Sequence, residues 1–215
     1  MPDLPENHLA DWYDKHAGCP AVLFGKGPSL DKWDLPKLPG EVWMTINEAC
    51  CAVPAADYHI MNDFAVYENL QNRRWKPSTG VVVTKGTDCR KAQVGAIWPN
   101  QSLFYFRDDA RIFKSTATGG GAVQILAALG IKDLLMVGFD AMTDPCGPEY
   151  AQSVGSMPYR AGKGAPTEPR WRKVNNHVRE MLERCQVTPT WWHSDMDGVR
   201  ASRASAAIPL VKPPV

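Results

Sequence analysis

Residues 20–30 read Pro-Ala-Val-Leu-Phe-Gly-Lys-Gly-Pro-Ser-Leu. An apolar run this short, bounded by Gly and Pro, marks a buried strand of a parallel sheet. The turn that ends it, Gly25-Lys26-Gly27-Pro28-Ser29, carries two glycines. Glycines let a backbone or a ligand approach closely, and exposed N–H groups in such a turn can hold a phosphate. The turn is not a Walker A loop. It is also not the G-x-G-x-x-G dinucleotide turn, because Leu30 stands where the third glycine belongs. A plain tight turn is the competing reading.

Six further runs resemble the first. Residues 41–46 end at Asn47, and residues 57–61 end at Asn62-Asp63. Residues 81–84 are β-branched, residues 102–106 are aromatic, and residues 133–137 end at Gly138-Phe139-Asp140. Residues 188–192 are the last. Between them, residues 122–129 form an Ala/Leu-rich helical stretch opened by Thr118-Gly-Gly-Gly121, with Gly130 as its C-cap. Residues 171–185 are helical, with Val174, Val178, Met181 and Leu182 on the apolar face. Strands alternating with helices predict an α/β chain: a single Rossmann-like domain with a mostly parallel sheet and helices on both faces. Residues 143–169, dense in Pro, Gly and Ser, read as a long lid loop. The expected layout is an N-terminal arm or helix over 1–19, the domain over 20–200 and a flexible tail over 201–215.

Composition sets outer limits. The 215 residues suit one domain. Lys and Arg number 24 against 23 Asp and Glu, a formal charge of +1, which excludes a polybasic nucleic-acid coat. Hydrophobic residues make up 44%, enough for a core and too many for a disordered chain. The six cysteines form no C-x-x-C pair, and Cys50 and Cys51 are adjacent, an unfavourable start for structural zinc. Reduced thiols in a cytoplasm are the expectation. Residues 1–20 carry Asp3, Glu6, Asp11 and Asp14 and no apolar core, so no secretory signal is expected, nor any membrane span.

In a parallel sheet the strands' carboxyl ends share one edge, where ligands bind. The candidates are therefore Gly25 to Ser29, Asn47, Asn62-Asp63 and Gly138 to Asp140. Thr118 to Gly121 joins them if its helix opens at that edge. A glycine-rich helix start offers N–H groups and a positive dipole to an anion. Close helix–sheet packing is the alternative reason for those glycines.

The order strand–G-x-GPS-L, strand–Asn, strand–Asn-Asp, Thr-Gly-Gly-Gly-helix-Gly and Leu-Leu-Met-Val-Gly-Phe-Asp resembles the bacterial sialyltransferases of glycosyltransferase family 42. It is also similar to the related Rossmann-like domain of archaeal 6-hydroxymethylpterin diphosphokinase and of bacterial flagellin-glycosylation (motility accessory) proteins. The resemblance spans residues 20–193 and has no counterpart for 143–169. It implies a donor-nucleotide set of Gly25, Gly27, Ser29, Asn47, Asn62, Thr118, Gly119 and Gly138, with Lys26, Pro28, Asp63, Gly120 and Asp140 beside them. Asn175-Asn176-His177-Val178 is similar to the family's late-helix segment, which makes His177 the general base. Tyr150 and Tyr159 fall in the loop whose tyrosines hold the donor phosphate. The family turn has Asn where this chain has Lys26, and a lysine there suits a diphosphate donor or a nucleoside triphosphate.

Asp195-Met-Asp197 is a D-x-D after the last strand, of the kind that can hold a divalent metal, but it reads in preference as the acidic N-cap of a terminal helix. His193 lies beside it. Arg160, Lys163, Arg170, Arg172 and Lys173 make the lid's end locally basic, suited to an anionic acceptor. The resulting expectation is a glycosyltransferase. It would move a sugar from a nucleotide-sugar donor to a hydroxyl of a glycan, a small molecule or modified DNA. It would use His177 as base and require no cofactor. One alternative is a Mg²⁺-dependent diphosphokinase using Asp63 or Asp140. Another is a non-catalytic nucleotide-binding or assembly module. A cytoplasmic site of action is expected, and the compact size suits a phage gene acting in the host cytoplasm.

Overall fold

In a computed structural model, the strand read from residues 20–24 becomes β1 (Ala21–Phe24), fully buried at the heart of a seven-stranded sheet. The structure describes residues 8–78, 80–85, 102–105, 111–113, 117–140, 151–155 and 168–192. The other strands are β2 (Val42–Ile46), β3 (Tyr58–Ile60), β4 (Val81–Lys85), β5 (Ser102–Tyr105), β6 (Asp133–Val137) and β7 (Thr188–Trp191). Their order is β5-β4-β3-β2-β1-β6-β7, and every pairing is parallel. All seven expected strands are present, each end within a residue of its expected bound.

The chain runs outward from β1 through β5, then returns to place β6 on the other side of β1. The order reverses between β1 and β6, and a crevice at such a switch point is where open parallel sheets bind ligands. Successive side chains alternate between the faces, so each face carries its own core. On one face Leu23, Met44, Ile60 and Val83 pack with Val123 and Leu126 of α3 (Thr118–Ala128) and with Val178 and Met181 of α4 (Glu168–Arg184). On the other, Val22, Phe24, Trp43 and Val137 pack with Leu30, Ala49, Ala151, Val154 and Trp192. Further along that face, Val66, Tyr67 and Leu70 of α2 (Phe64–Asn72) cover Met61, Val82 and Cys50, which belongs to the single turn α1 (Ala49–Ala52). Each fully buried Leu, Ile or Phe contributes roughly 1.5–3 kcal/mol relative to exposure.

Helices α1 and α2 do not stand out in the sequence. Four residues are too few to show periodicity, and only Val66, Tyr67 and Leu70 of α2 read as an apolar stripe. Helix α3 ends as expected: Gly130, at φ +93°, lets Ile131 N–H reach Leu126 O at 3.0 Å. Helix α4 starts at Glu168, within the stretch expected as loop. Residues 151–155 of that stretch are docked. Ala151 N–H donates to Lys26 O at 2.8 Å, Ser153 N–H to Asp31 Oδ1 at 2.9 Å, and Arg73 Nη1 to Val154 O at 2.6 Å. The N-terminal arm forms a 3₁₀ turn over Leu9–Trp12 that buries Leu9, and His16 Nε2 bonds Tyr58 OH at 2.7 Å. No described helix is long and apolar enough to cross a membrane. The edge strand β7 contains Pro189, opposite Leu134 of β6.

His59 in the middle of β3 is buried, with Nδ1 2.8 Å from Thr45 Oγ1, the ring edge-on to Trp75, and Nε2 without a hydrogen-bond partner. Burial pulls its pKa down from 6.5 to about 4, against a weaker upward pull from Asp57. Between those two values the unfolded chain binds a proton that the folded chain refuses. The stabilising contribution is therefore whole above about pH 6.5 and is lost as pH falls toward 4. Urea unfolding followed across that window should lose stability with a slope of up to about 1.4 kcal/mol per pH unit from this group. His59→Gln should flatten that part of the curve.

Candidate functional site

At the exits of β1 and β6 the two backbones touch. Gly25 N–H donates to Val137 O at 2.7 Å, and Gly27 N–H to Gly138 O at 2.8 Å. Gly138 adopts φ +74°, and a Cβ there would lie 2.7 Å from Gly25 O. A side chain at Gly25 would collide with Gly138 O in turn. The glycines at 25 and 138 therefore permit contact between the two strand exits. Ser29 then joins them. Its Oγ accepts from Gly138 N–H at 2.9 Å and donates to Asp140 Oδ2 at 3.0 Å, while its N–H donates to Oδ1 and Oδ2 at 3.2 and 3.1 Å. Pro28 opens the 3₁₀ turn that aims the Ser29 amide this way.

Next along the edge, Asn47 follows β2 with φ +53°, in the left-handed region. Its N–H donates to Ile60 O at 2.9 Å, and its buried Oδ1 has no hydrogen-bond partner. Such strain persists only where surrounding structure enforces it, and it clusters at functional sites. At the end of β3, Asn62 Oδ1 accepts from Tyr105 OH at 3.1 Å. Asp63 occupies the N-cap position of α2 without capping it, and the following Phe64 is 44% exposed, a large apolar ring left at the ligand edge.

Helix α3 opens on the same side. Gly121 is pressed against Tyr105 and Asn62: a Cβ there would sit 3.3 Å from the hydroxyl of Tyr105 and 3.8 Å from Asn62 Nδ2. A Cβ at Gly119 would lie 3.1 Å from Val178 Cγ2 of α4. Both glycines thus serve close packing, Gly120 is buried between them, and Thr118 is half-buried at the helix start. The contact at Gly119 brings the neighbour of Val178, His177, to the α3 start. His177 is 14% exposed, with Nδ1 3.6 Å from Glu180 Oε2.

Lys26 is occupied in a way its sequence position did not announce. Its Nζ lies 2.8 Å from Oε2 of Glu48, with the two side chains 11% and 0% exposed. Glu48 was missed because an isolated Glu after a strand reads as solvated. The signal was Lys26 itself, a cation in a turn packed too tightly to leave it unpaired. Beyond Glu48, burial pushes the Cys50 thiol up, and a hydrogen bond from Cys50 pulls Cys51 down. Cys19, Cys50, Cys51 and Cys185 are free thiols. Among the described residues no three His, Cys, Asp or Glu side chains gather as a metal set. Tyr150, Tyr159, His193, Asp195 and Asp197 lie outside the described residues, as do the 201–215 tail and the basic residues Arg160 and Lys163.

The Lys26–Glu48 pair makes a stability prediction. Removing one partner of a buried pair strands the other charge. Lys26→Met should therefore cost about 3–5 kcal/mol in chemical denaturation, while the double variant Lys26→Met/Glu48→Gln should recover most of that loss.

Comparison with protein-family models, with curated proteins and with solved structures finds no match for this chain.

Proposed function

We propose that this chain is a transferase that binds a nucleotide-activated donor at the carboxyl edge of its sheet and moves the donor's sugar onto a hydroxyl acceptor. The observation that carries the reading is Asn47: a strained backbone at the exit of β2 that holds a buried, unpartnered acceptor at the ligand edge. An orphaned buried acceptor costs about 1–3 kcal/mol, which a ligand N–H or O–H would recover. Asn62, braced by Tyr105, and the start of α3 stand beside it.

In this mechanism the donor's phosphate rests on the first turn of α3, where N–H groups and the helix dipole favour negative charge. His177, as neutral imidazole, takes the proton of the acceptor hydroxyl as that oxygen attacks the sugar. The bond from sugar carbon to phosphate oxygen breaks as the new carbon–oxygen bond forms, and the electron pair leaves with the nucleotide. Glu180, 3.6 Å from Nδ1, then faces an imidazolium that it stabilises.

Three expectations test the reading. In a thermal-shift series with CMP, UDP, GDP, ADP and ATP, at least one should raise the melting temperature; silence from all five ends the nucleotide reading. Asn47→Gly should melt at or above the wild-type temperature, because glycine accepts the left-handed backbone and removes the orphaned oxygen, yet lose the nucleotide-induced shift. His177→Ala should keep that shift while turnover falls about 10²-fold or more. Full activity in His177→Ala would remove the histidine from the mechanism.

A further inference from the structure

Two adjacent thiols stand just beyond the strained Asn47, on the single turn α1, and the mechanism above does not use them. Cys50 is fully buried with Met61, Tyr67 and Leu70, while Cys51 is half-buried against the same cluster. The Cys50 thiol hydrogen-bonds to Cys51, and the charge of Arg73, at the end of α2, bears on both.

The pair is asymmetric. Burial penalises a thiolate at Cys50 and pushes that thiol up. At Cys51 the hydrogen bond from Cys50 pulls the thiol down, burial opposes it, Arg73 adds a further downward pull and Glu48 a smaller upward one. Glu48 is itself paired with Lys26 at 2.8 Å. A half-exposed thiol with a hydrogen-bond donor and a cation beside it is the setting of a reactive cysteine, because the thiolate is the nucleophile.

Arg73 also ties the pair to the docked segment. Its Nη1 donates to Val154 O at 2.6 Å. Gly155 takes φ +71°, and a Cβ there would lie 2.6 Å from Arg73 Nη2. Val154 is fully buried in one cluster with Ala49 and Val53, which flank the two thiols in sequence. The cation that acts on Cys51 is therefore the group that holds segment 151–155 in place.

We propose that Cys51 is a thiol-exchange site for low-molecular-weight disulfides, and that its adduct displaces Arg73 and undocks segment 151–155. This chemistry does not depend on what the sheet edge binds. Cys51 gives its proton to solvent, and the thiolate attacks one sulfur of R–S–S–R. The S–S bond breaks as the bond to Cys51 Sγ forms, and the electron pair leaves on the other sulfur, which is protonated to R–S–H. The incoming disulfide is the oxidant. Cys50 does not expel the adduct by bridging to Cys51. Consecutive Cα atoms lie about 3.8 Å apart across a trans peptide, short of the roughly 4.4–6.8 Å that a disulfide spans. The adduct lasts until an external thiol removes it. While it lasts, its bulk occupies the room beside α1, and the thiolate that attracted Arg73 is gone.

The test treats the full chain with glutathione disulfide and follows each cysteine by peptide mapping in a mass spectrometer. Cys19 and Cys185 are half-buried free thiols like Cys51, so they are references of matched exposure. Cys51 should form the mixed disulfide about tenfold or more faster than either. Cys50→Ala removes the hydrogen bond and should slow Cys51 about threefold or more, with its rate profile displaced to higher pH. Cys50→Ser keeps a donor and should stay within about twofold of the wild type. A Cys51 rate no greater than that of Cys19 and Cys185 overturns the proposal, as does one rate shared by the wild type, Cys50→Ala and Cys50→Ser. Hydrogen exchange reads the undocking. Peptides covering 151–155 should exchange about tenfold faster in the adduct and return to the starting rate once a thiol reductant is added. Unchanged exchange there overturns the undocking. The same treatment of Cys51→Ser should leave 151–155 unaffected. Faster exchange in that variant assigns the effect to another thiol, Cys89 and Cys146 outside the described residues included, and overturns the role of Cys51.

Discussion

The backbone contact between Gly25 and Gly138 is the constraint on which the ligand edge depends. A parallel sheet that reverses its winding order normally leaves a gap between the two central strands' exits, because their connections depart to opposite faces. Here the gap is bridged by the amides of Gly25 and Gly27 and by the Ser29 hydroxyl, which bonds to both Gly138 and Asp140. With the two exits fixed, Lys26 is directed at Glu48, and its carbonyl is free to receive the amide of Ala151. The docked segment 151–155 therefore takes its position from the same turn. Phe24 and Val137, which end β1 and β6 just before the turn, close the core of one face at this point.

Much of this was legible in the sequence. The central strands announced themselves because they are apolar, short and punctuated by Gly or Asn, and β1, β2 and β3 are buried on both faces with no alternation to confuse the reading. Gly130 marked the end of α3 through its backbone alone. Residues placed at one edge by topology, namely Gly25, Asn47, Asn62, Thr118 and Gly138, are indeed at the strand exits or the helix start that faces them.

Partnership was not legible. A linear sequence does not say that the carboxylate at 140 turns back on the amide at 29, because those residues are separated by most of the sheet and meet only after β1 and β6 pair. Nor does it say that Lys26 is neutralised by Glu48, since a buried glutamate looks the same as a solvated one until its neighbours are known. The glycines of α3 show the same limit. Thr-Gly-Gly-Gly before a helix is compatible with an anion cradle and with close packing. The contacts of Gly119 with Val178 and of Gly121 with Tyr105 identify packing as a reason for two of them. Composition identifies which residues can do a job, and the fold decides which of them are already employed.

Pro189 carries a consequence for assembly. In β7 the amides of Thr188 and Trp192 turn inward, to Lys132 O at 2.8 Å and Met136 O at 2.9 Å. Strand geometry alternates, so position 189 faces the open side. A proline there withholds the donor that an incoming strand would need. Sheet growth by addition of a second chain is thus opposed at this border by covalent structure, at no cost to the ladder within. Among the described residues β7 borders the sheet on this side, and one of its two outward positions carries no donor for a second chain to bond.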